Sequence, residues 1–299
     1  VRAHNKSLAA ARIDTTRHDR YVPSVAMRIV AAWLGLWLTG CVSYIVVTYV
    51  HAFWHRRALV PLAVLIKAAL RELLACALLL PFWPLWLIVG ASYRIKHEGE
   101  PAPQRARPNP VILLHGFAMN RTNWIWLGRR LAARGIGPLY GTSYFSPQTV
   151  KRSAQQLARF IESVRQRERA QRVDIVAHSL GGTVARYYIE RLGGAKHVHR
   201  LVTIGSPHHG TTLAHFGTLF PSARESRVDS PLYAEMGPVI AREGLMYTSI
   251  WSRADAIIEP PESASIVPAG EDRVFDDLGH LSLLLSARVI DTVAERLKA

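Results

Sequence analysis

Two stretches near the start of the chain stay free of charge over a membrane's thickness. Residues 29–50 contain no Asp, Glu, Lys, Arg or His, and a helix of that length, at about 1.5 Å per residue, spans about 33 Å. A second uncharged run, 73–93, carries Phe82, Trp83, Trp86 and Tyr93 and is interrupted by Pro81 and Pro84, which kink a helix. The pattern predicts two transmembrane helices, 29–50 and 73–93, behind a basic arm over 1–28. Between them, 51–72 sets Arg56, Arg57, Lys67 and Arg71 among leucines, in the manner of an interfacial segment. Residues 94–109 are charged and proline-rich without apolar periodicity and read as a linker. From 111 onward the pattern changes. Short β-rich runs at 111–115, 139–144, 172–177, 201–204 and 246–251 alternate with helical patterns at 150–167, 180–191 and 281–297. That alternation predicts an α/β domain over 110–299, with a mostly parallel sheet flanked by helices, preceded by a helical transmembrane hairpin. Residues 208–245 are long for a plain connection and hold Phe216, Leu219, Phe220, Leu232, Tyr233 and Met236, so they are expected to form a cap or lid.

Composition narrows the function classes. A chain of 299 residues has room for one full-size enzyme domain and a smaller part. With 49% hydrophobic and 20% charged residues, intrinsic disorder is excluded. The formal charge is +15, but residues 1–109 hold fourteen Lys and Arg against five Asp and Glu, which places +9 of it around the apolar runs. Such clustering fits membrane flanks better than the basic stripe of a nucleic-acid site, so a membrane is the expected partner and nucleic acid is not. Cys41 and Cys76 sit inside apolar runs, where a disulfide framework is not expected.

The chain begins with Val, which reads either as an alternative start codon written literally or as a start set ahead of Met27 and Arg28. Leu38-Thr39-Gly40-Cys41 resembles a lipobox, but a cleaved lipoprotein continues in a polar tether, whereas 42–50 stays apolar. Ten cations flank the hairpin on the side of the N-terminal arm and linker, and four lie in the loop between the runs. Positive-inside counting therefore expects a cytoplasmic catalytic domain on a bacterial inner membrane. Should the second run lie in the interface, the chain crosses once and the domain is periplasmic.

The strongest local signal is VDIVAHSLGG over 173–182. An apolar strand runs through Ala177 and His178 into Ser179, then Leu180, Gly181 and a helix, the setting of a nucleophile elbow. Such a turn forces the serine hydroxyl out of the sheet, so positions two before and two after must be small, as Ala177 and Gly181 are. His178 points elsewhere and is expected to pack or hydrogen-bond. Attack on a carbonyl puts negative charge on oxygen, which preorganised amides stabilise. One candidate donor is the Leu180 amide at a helix N-terminus. The other is the Phe117 amide in ILLHGF, where Gly116 lets the backbone turn and His115 braces the loop.

A serine needs an imidazole to take its proton and a carboxylate to fix that imidazole's tautomer. His280, in LGHLSLL just before the last helical pattern, sits where a base reaches the C-terminal edge of the sheet. His197 and His199 precede a strand, at its wrong end. His208 and His209 in SPHHGTT read as pocket wall. For the acid, Asp255 lies in the loop past the strand MYTSIW. Asp276 and Asp277 are too near His280 in sequence, and Asp272 reads as a solvated turn residue.

These residues together resemble the α/β-hydrolase superfamily, and within it bacterial triacylglycerol lipases and esterases. The resemblance covers about 110–299 and rests on HGF at 115–117 with Asn120 and Trp124, AHSLGG at 177–182, GSPHHGT at 205–211, the Asp255 loop ending in Pro260, and GHLSLL at 279–284. It implies Ser179, Asp255 and His280 as a triad and ester hydrolysis through an acyl-enzyme, with no metal and no cofactor. Residues 1–109 have no counterpart in the secreted enzymes of that kind. The expected function is a membrane-anchored serine esterase or lipase acting on lipid-like acyl esters. An acyltransferase using the same triad stays open, as does a membrane protein with an inert hydrolase-like domain. Two spans are few for a transporter, and neither run carries a buried charge to mark a pathway. No sequence signal sets the oligomeric state.

Overall fold

A computed structural model describes residues 24–56, 60–79, 92–95 and 109–299. Most of the expected basic arm, the middle of the second expected span and most of the linker lie outside the described residues. The chain forms two compact units, Val1–Gly40 and Cys41–Ala299.

The first helix, α1 (Val25–Arg56), overruns the expected span at both ends. Its stretch Ala31–His55, with mean hydropathy 1.6, is the one helix among the described residues long and apolar enough to cross a membrane. The second helix, α2 (Leu62–Leu79), begins eleven residues before the expected second span. The reason is that absence of charge and a buried face are different signals. Leu65, Ala68, Glu72, Ala75 and Cys76 recur at helical spacing and are buried against protein, although Lys67, Arg71 and Glu72 are charged.

The remaining elements, in chain order, are β1 (Ser92–Ile95), β2 (Val111–Leu114), α3 (Ile125–Ala132), β3 (Leu139–Thr142), α4 (Val150–Glu168), β4 (Val173–His178), α5 (Leu180–Arg191), β5 (Val198–Ile204), α6 (Pro221–Glu225), α7 (Pro231–Met236), β6 (Met246–Ser252), β7 (Glu271–Phe275) and α8 (Ala287–Lys298). The strands form a sheet of order β1-β3-β2-β4-β5-β6-β7. All neighbours pair in parallel except β1, which pairs antiparallel with β3. This is the architecture that the resemblance implies.

The central strands β2 and β4 are buried at every position. A strand covered on both faces reads as a continuous apolar run, which is why both are visible in the sequence. The core beneath them joins Ile112, Ile175 and Leu201 of the sheet to Leu157 and Ile161 of α4 and Val184 of α5. Each such side chain taken from water contributes about 1.5–3 kcal/mol. α4 holds its place through an apolar face at Val150, Ala154, Leu157, Ile161 and Val164, with Thr149 capping its first turn.

Two edge strands escape the sequence pattern. β7 is Glu-Asp-Arg-Val-Phe with no residue buried, as suits an edge that must resist further pairing. β1 falls where the second span was expected to end and the linker to begin, and its backbone pairing with β3 places residues 92–95 within the sheet. The last helix starts at Ala287 rather than 281, because Ser282–Leu284 form a separate 3-10 turn. Between β5 and β6 the chain makes the expected long excursion, containing α6 and α7 and leaving Phe216 76% and Leu219 89% exposed. Parallel strands end on one side, so the loops after β2, β4, β5, β6 and β7 gather at one sheet edge.

Candidate active site

Ser179 stands between the end of β4 and the start of α5 with φ 55° and ψ −129°. A residue with a Cβ rarely adopts this conformation, and it persists only where its surroundings dictate it. The surroundings are tight. A Cβ on Gly181 would lie 2.6 Å from the carbonyl oxygens of Leu114 and His115, and one on Gly182 would overlap Ser206. The Ser179 amide donates to the Ile204 carbonyl at 2.9 Å, which ties the turn to β5.

The loop after β2 passes directly over this turn, since a Cβ on Gly116 would sit 2.8 Å from the Ser179 Cβ. His115 braces the loop as expected. Its Nε2 accepts the Tyr144 amide at 3.2 Å, so its Nδ1 carries the proton and donates to the Gly116 carbonyl at 2.8 Å. Burial pushes the His115 pKa down to about 4, which keeps the ring neutral and that pattern fixed. Ala118, at φ 52°, donates its amide to Ser146 Oγ at 2.9 Å. The Phe117 ring meets Phe220 of the long excursion at 5.5 Å between centroids. Among the described residues neither the Phe117 nor the Leu180 amide has a protein acceptor.

Asp255 and His280 come from the loops after β6 and β7 and meet in the interior. His280 Nδ1 lies 2.8 Å from Asp255 Oδ2, and both residues are buried. Asp255 Oδ1 accepts the amides of Ile257 and Ile258 at 2.8 and 3.3 Å. A carboxylate so held is an acceptor, so His280 carries its proton on Nδ1 and leaves Nε2 as the basic atom. Burial works against a charged His280, but the Asp255 charge and hydrogen bond, with the charge of Glu72, outweigh it and raise its pKa above the usual 6.5. Gly205, at φ 55°, gives the pair room, since a Cβ there would stand 3.1 Å from Asp255 Oδ2 and 3.3 Å from His280 Nδ1.

The other candidates are accounted for. Burial, together with the charge on His280, pushes His178 down to about 3. The neutral His178 ring donates from Nε2 to the His280 carbonyl at 3.1 Å, so it braces the loop that carries His280. Asp276 pairs with Arg253, and Asp277 with Arg71 and Arg288. Asp272, expected as a solvated turn residue, instead lies in β7 and accepts from Trp251 Nε1 and the Ile266 amide. His208, expected as pocket wall, is buried beside the sheet at 3.0 Å from Thr203 Oγ1, because the turn after β5 folds it inward. His209 remains exposed and bonds to the Ser263 carbonyl at 3.2 Å. His199 lies at the far end of β5, beside Asp174.

A largely apolar cavity of about 1010 Å³ opens beside the Gly116 loop, lined by Leu114, Ala118, Met119, Phe145, Leu157 and Phe160 among others. Among the described residues no cluster of His, Cys, Asp and Glu is placed to hold a metal ion. One residue at this edge was missed by the sequence reading. Glu72 of α2 is buried and accepts the amides of Leu281 and Ser282, next to His280. Its signal was available as a lone carboxylate on an apolar helix, which demands a buried partner.

A family model described as Lipase (class 2) matches residues 108–268. Among solved structures, the mature form of the Bacillus licheniformis lipase BlEst2 is similar at TM-score 0.54 and 14% identity, over 68% of this chain and 97% of that one. Aspergillus fumigatus lipase B is similar at TM-score 0.58 and 16% identity, over 70% of this chain and 56% of that one. MGS-MChE2, an alpha/beta hydrolase enzyme from the metagenome of sediments from the lagoon of Mar Chica, Morocco, is similar at TM-score 0.51 and 17% identity, over 70% of this chain and 95% of that one. At such identities the likeness is one of fold, and the fold is that of the α/β-hydrolases.

Proposed function

The chain belongs to the lipase (class 2) family, and from that membership we propose that it is a membrane-anchored serine esterase or lipase. Ser179 is the nucleophile, His280 the base and Asp255 the group that orients it. The observation that carries this reading is the 2.8 Å bond between His280 Nδ1 and Asp255 Oδ2, formed behind a serine in a strained turn. Ser179 Oγ attacks the acyl carbon while His280 Nε2 takes the hydroxyl proton. The amides of Phe117 and Leu180 receive the developing oxyanion. His280 then returns the proton to the leaving alcohol as the ester bond breaks, which leaves an acyl-enzyme. Water, deprotonated by the same nitrogen, releases the carboxylic acid and restores Ser179.

The exposed aromatic and aliphatic side chains of the proposed lid, Phe216 and Leu219 among them, favour a lipid-like acyl ester. The stretch Ala31–His55 is proposed as the anchor. With α2 docked on the hydrolase through Glu72, and Tyr49 and Ala52 of α1 packed beside it, the exposed apolar side chains of α1, among them Leu36, Leu38, Val46 and Val50, are those proposed to meet the membrane. Purified full-length chain in detergent should hydrolyse octanoyl and longer p-nitrophenyl esters faster than acetyl esters, and Ser179→Ala should not. A preference for acetyl esters rejects the lipid-like substrate. The chain should sediment with membranes and resist extraction by high salt, and its recovery as a soluble protein without detergent rejects the anchor.

A further inference from the structure

The carboxylate of Glu72 is buried against the loop that carries His280. Oε1 accepts the Leu281 amide at 2.8 Å and the Tyr44 hydroxyl at 3.0 Å, and Oε2 accepts the amides of Leu281 and Ser282, each at 3.0 Å. Leu281 caps the 3-10 turn Ser282–Leu284, so these donors stand at the start of a turn, where the backbone offers them no acceptor. Gly279 permits the approach, since a Cβ there would overlap Glu72 Oε2 and Tyr49 Oη. The same helices also hold the loop of the acid. Ala254 and Ala256, on either side of Asp255, pack with Tyr49, Ala52, Leu65 and Ala68. Arg71 pairs with Asp277 and donates to its carbonyl at 2.7 Å. A buried carboxylate is tolerated only where other groups replace its water. Here the replacements are the amides that follow His280.

We propose that Glu72 is a positioning residue for the reaction. Its carboxylate, supplied by a helix outside the matched family region, sets the His280 loop so that the imidazole meets Asp255 and Ser179 in register. Its charge also favours the imidazolium formed when His280 takes the serine proton. The proposal rests on reading Ser179, Asp255 and His280 as a triad. The titratable groups facing His280 are Asp255 from the loop after β6, His178 from the end of β4, and Glu72, with Tyr44 behind it, from the helices.

The test measures kcat, KM and pH dependence for p-nitrophenyl octanoate with the full chain in detergent. Glu72→Ala should lower kcat about 10²-fold, as a small misplacement of a reacting group does, with KM little changed. In Glu72→Gln the side-chain oxygen replaces Oε2 between the two amides and its NH₂ donates to Tyr44. This variant should recover most of the lost turnover, while the acid limb of the profile moves to lower pH because the charge is gone. A merely structural role moves the melting temperature and leaves the acid limb in place. His280→Ala is run in parallel. Full activity there removes the triad reading and this proposal with it. An inactive His280→Ala beside wild-type kcat in Glu72→Ala overturns this proposal alone. If Glu72→Ala fails to fold, Glu72→Gln decides, and an acid limb coincident with wild type overturns the proposal.

Discussion

Replacing Asp255 with Asn removes a charge while keeping shape, and the structure fixes what must follow. The Asn carboxamide has one accepting and one donating end, whereas Asp255 accepts on both oxygens. With its oxygen toward Ile257 and Ile258, the side chain keeps two backbone hydrogen bonds and turns its NH₂ toward His280 Nδ1. Nδ1 then becomes an acceptor and the ring proton moves to Nε2, the atom that must be free to act as base. Turned the other way, the NH₂ faces two buried amide donors, each left unsatisfied at about 1–3 kcal/mol. The first orientation wins, so the expected variant is folded and holds the wrong tautomer. Turnover should fall about 10⁴-fold, the scale on which triads respond to this change, while the melting temperature moves by only a few degrees. Steady-state hydrolysis of p-nitrophenyl octanoate and thermal melting by circular dichroism measure the two effects. Activity within tenfold of wild type refutes the reasoning, and the acid must then be sought elsewhere, although Asp276 and Asp277 are engaged with arginines.

Since Asp255 and Glu72 hold the His280 pKa above 6.5 against the effect of burial, and the base works only when neutral, kcat/KM should rise with pH to a plateau. The midpoint of that rise should lie above the ordinary imidazole value, and a midpoint below 6.5 contradicts the assigned environment. Phe216 and Leu219 are 76% and 89% exposed, so a Phe216→Ser, Leu219→Ser double variant should change stability by no more than about 0.5 kcal/mol per site. It should weaken activity on vesicle-borne esters while sparing soluble short-chain ones; an equal loss on both substrates counts against a lid that meets lipid.

The elements that announce themselves in the sequence are those whose constraints are local. Ser179 is legible because strand, small residues, turn and helix all lie within ten positions, and the 2.6 Å approach of a Cβ on Gly181 to two carbonyls explains why the small residue is required. β2 and β4 are legible because strands covered on both faces are uniformly apolar. Asp255 stood out by its place after a strand and His280 by its place before the last helical pattern, but their meeting is tertiary, with the side chains coming from separate loops. Glu72 was legible only as a lone carboxylate on an apolar helix, because its partners are amides 209 and 210 positions away and a backbone donor leaves no mark in a sequence. β7 hid behind charged edge positions. The second apolar run was read from its lack of charge. α2, which overlaps only its first seven residues, is set instead by a buried face that includes a charged residue.

The central claim is that Ser179 becomes acylated. The most direct measurement is labelling of the full-length chain with a fluorophosphonate, followed by mass spectrometry of its peptides. The account predicts one modified serine, Ser179, and loss of both the label and ester hydrolysis in Ser179→Ala. A label on another serine, or undiminished hydrolysis by Ser179→Ala, contradicts it.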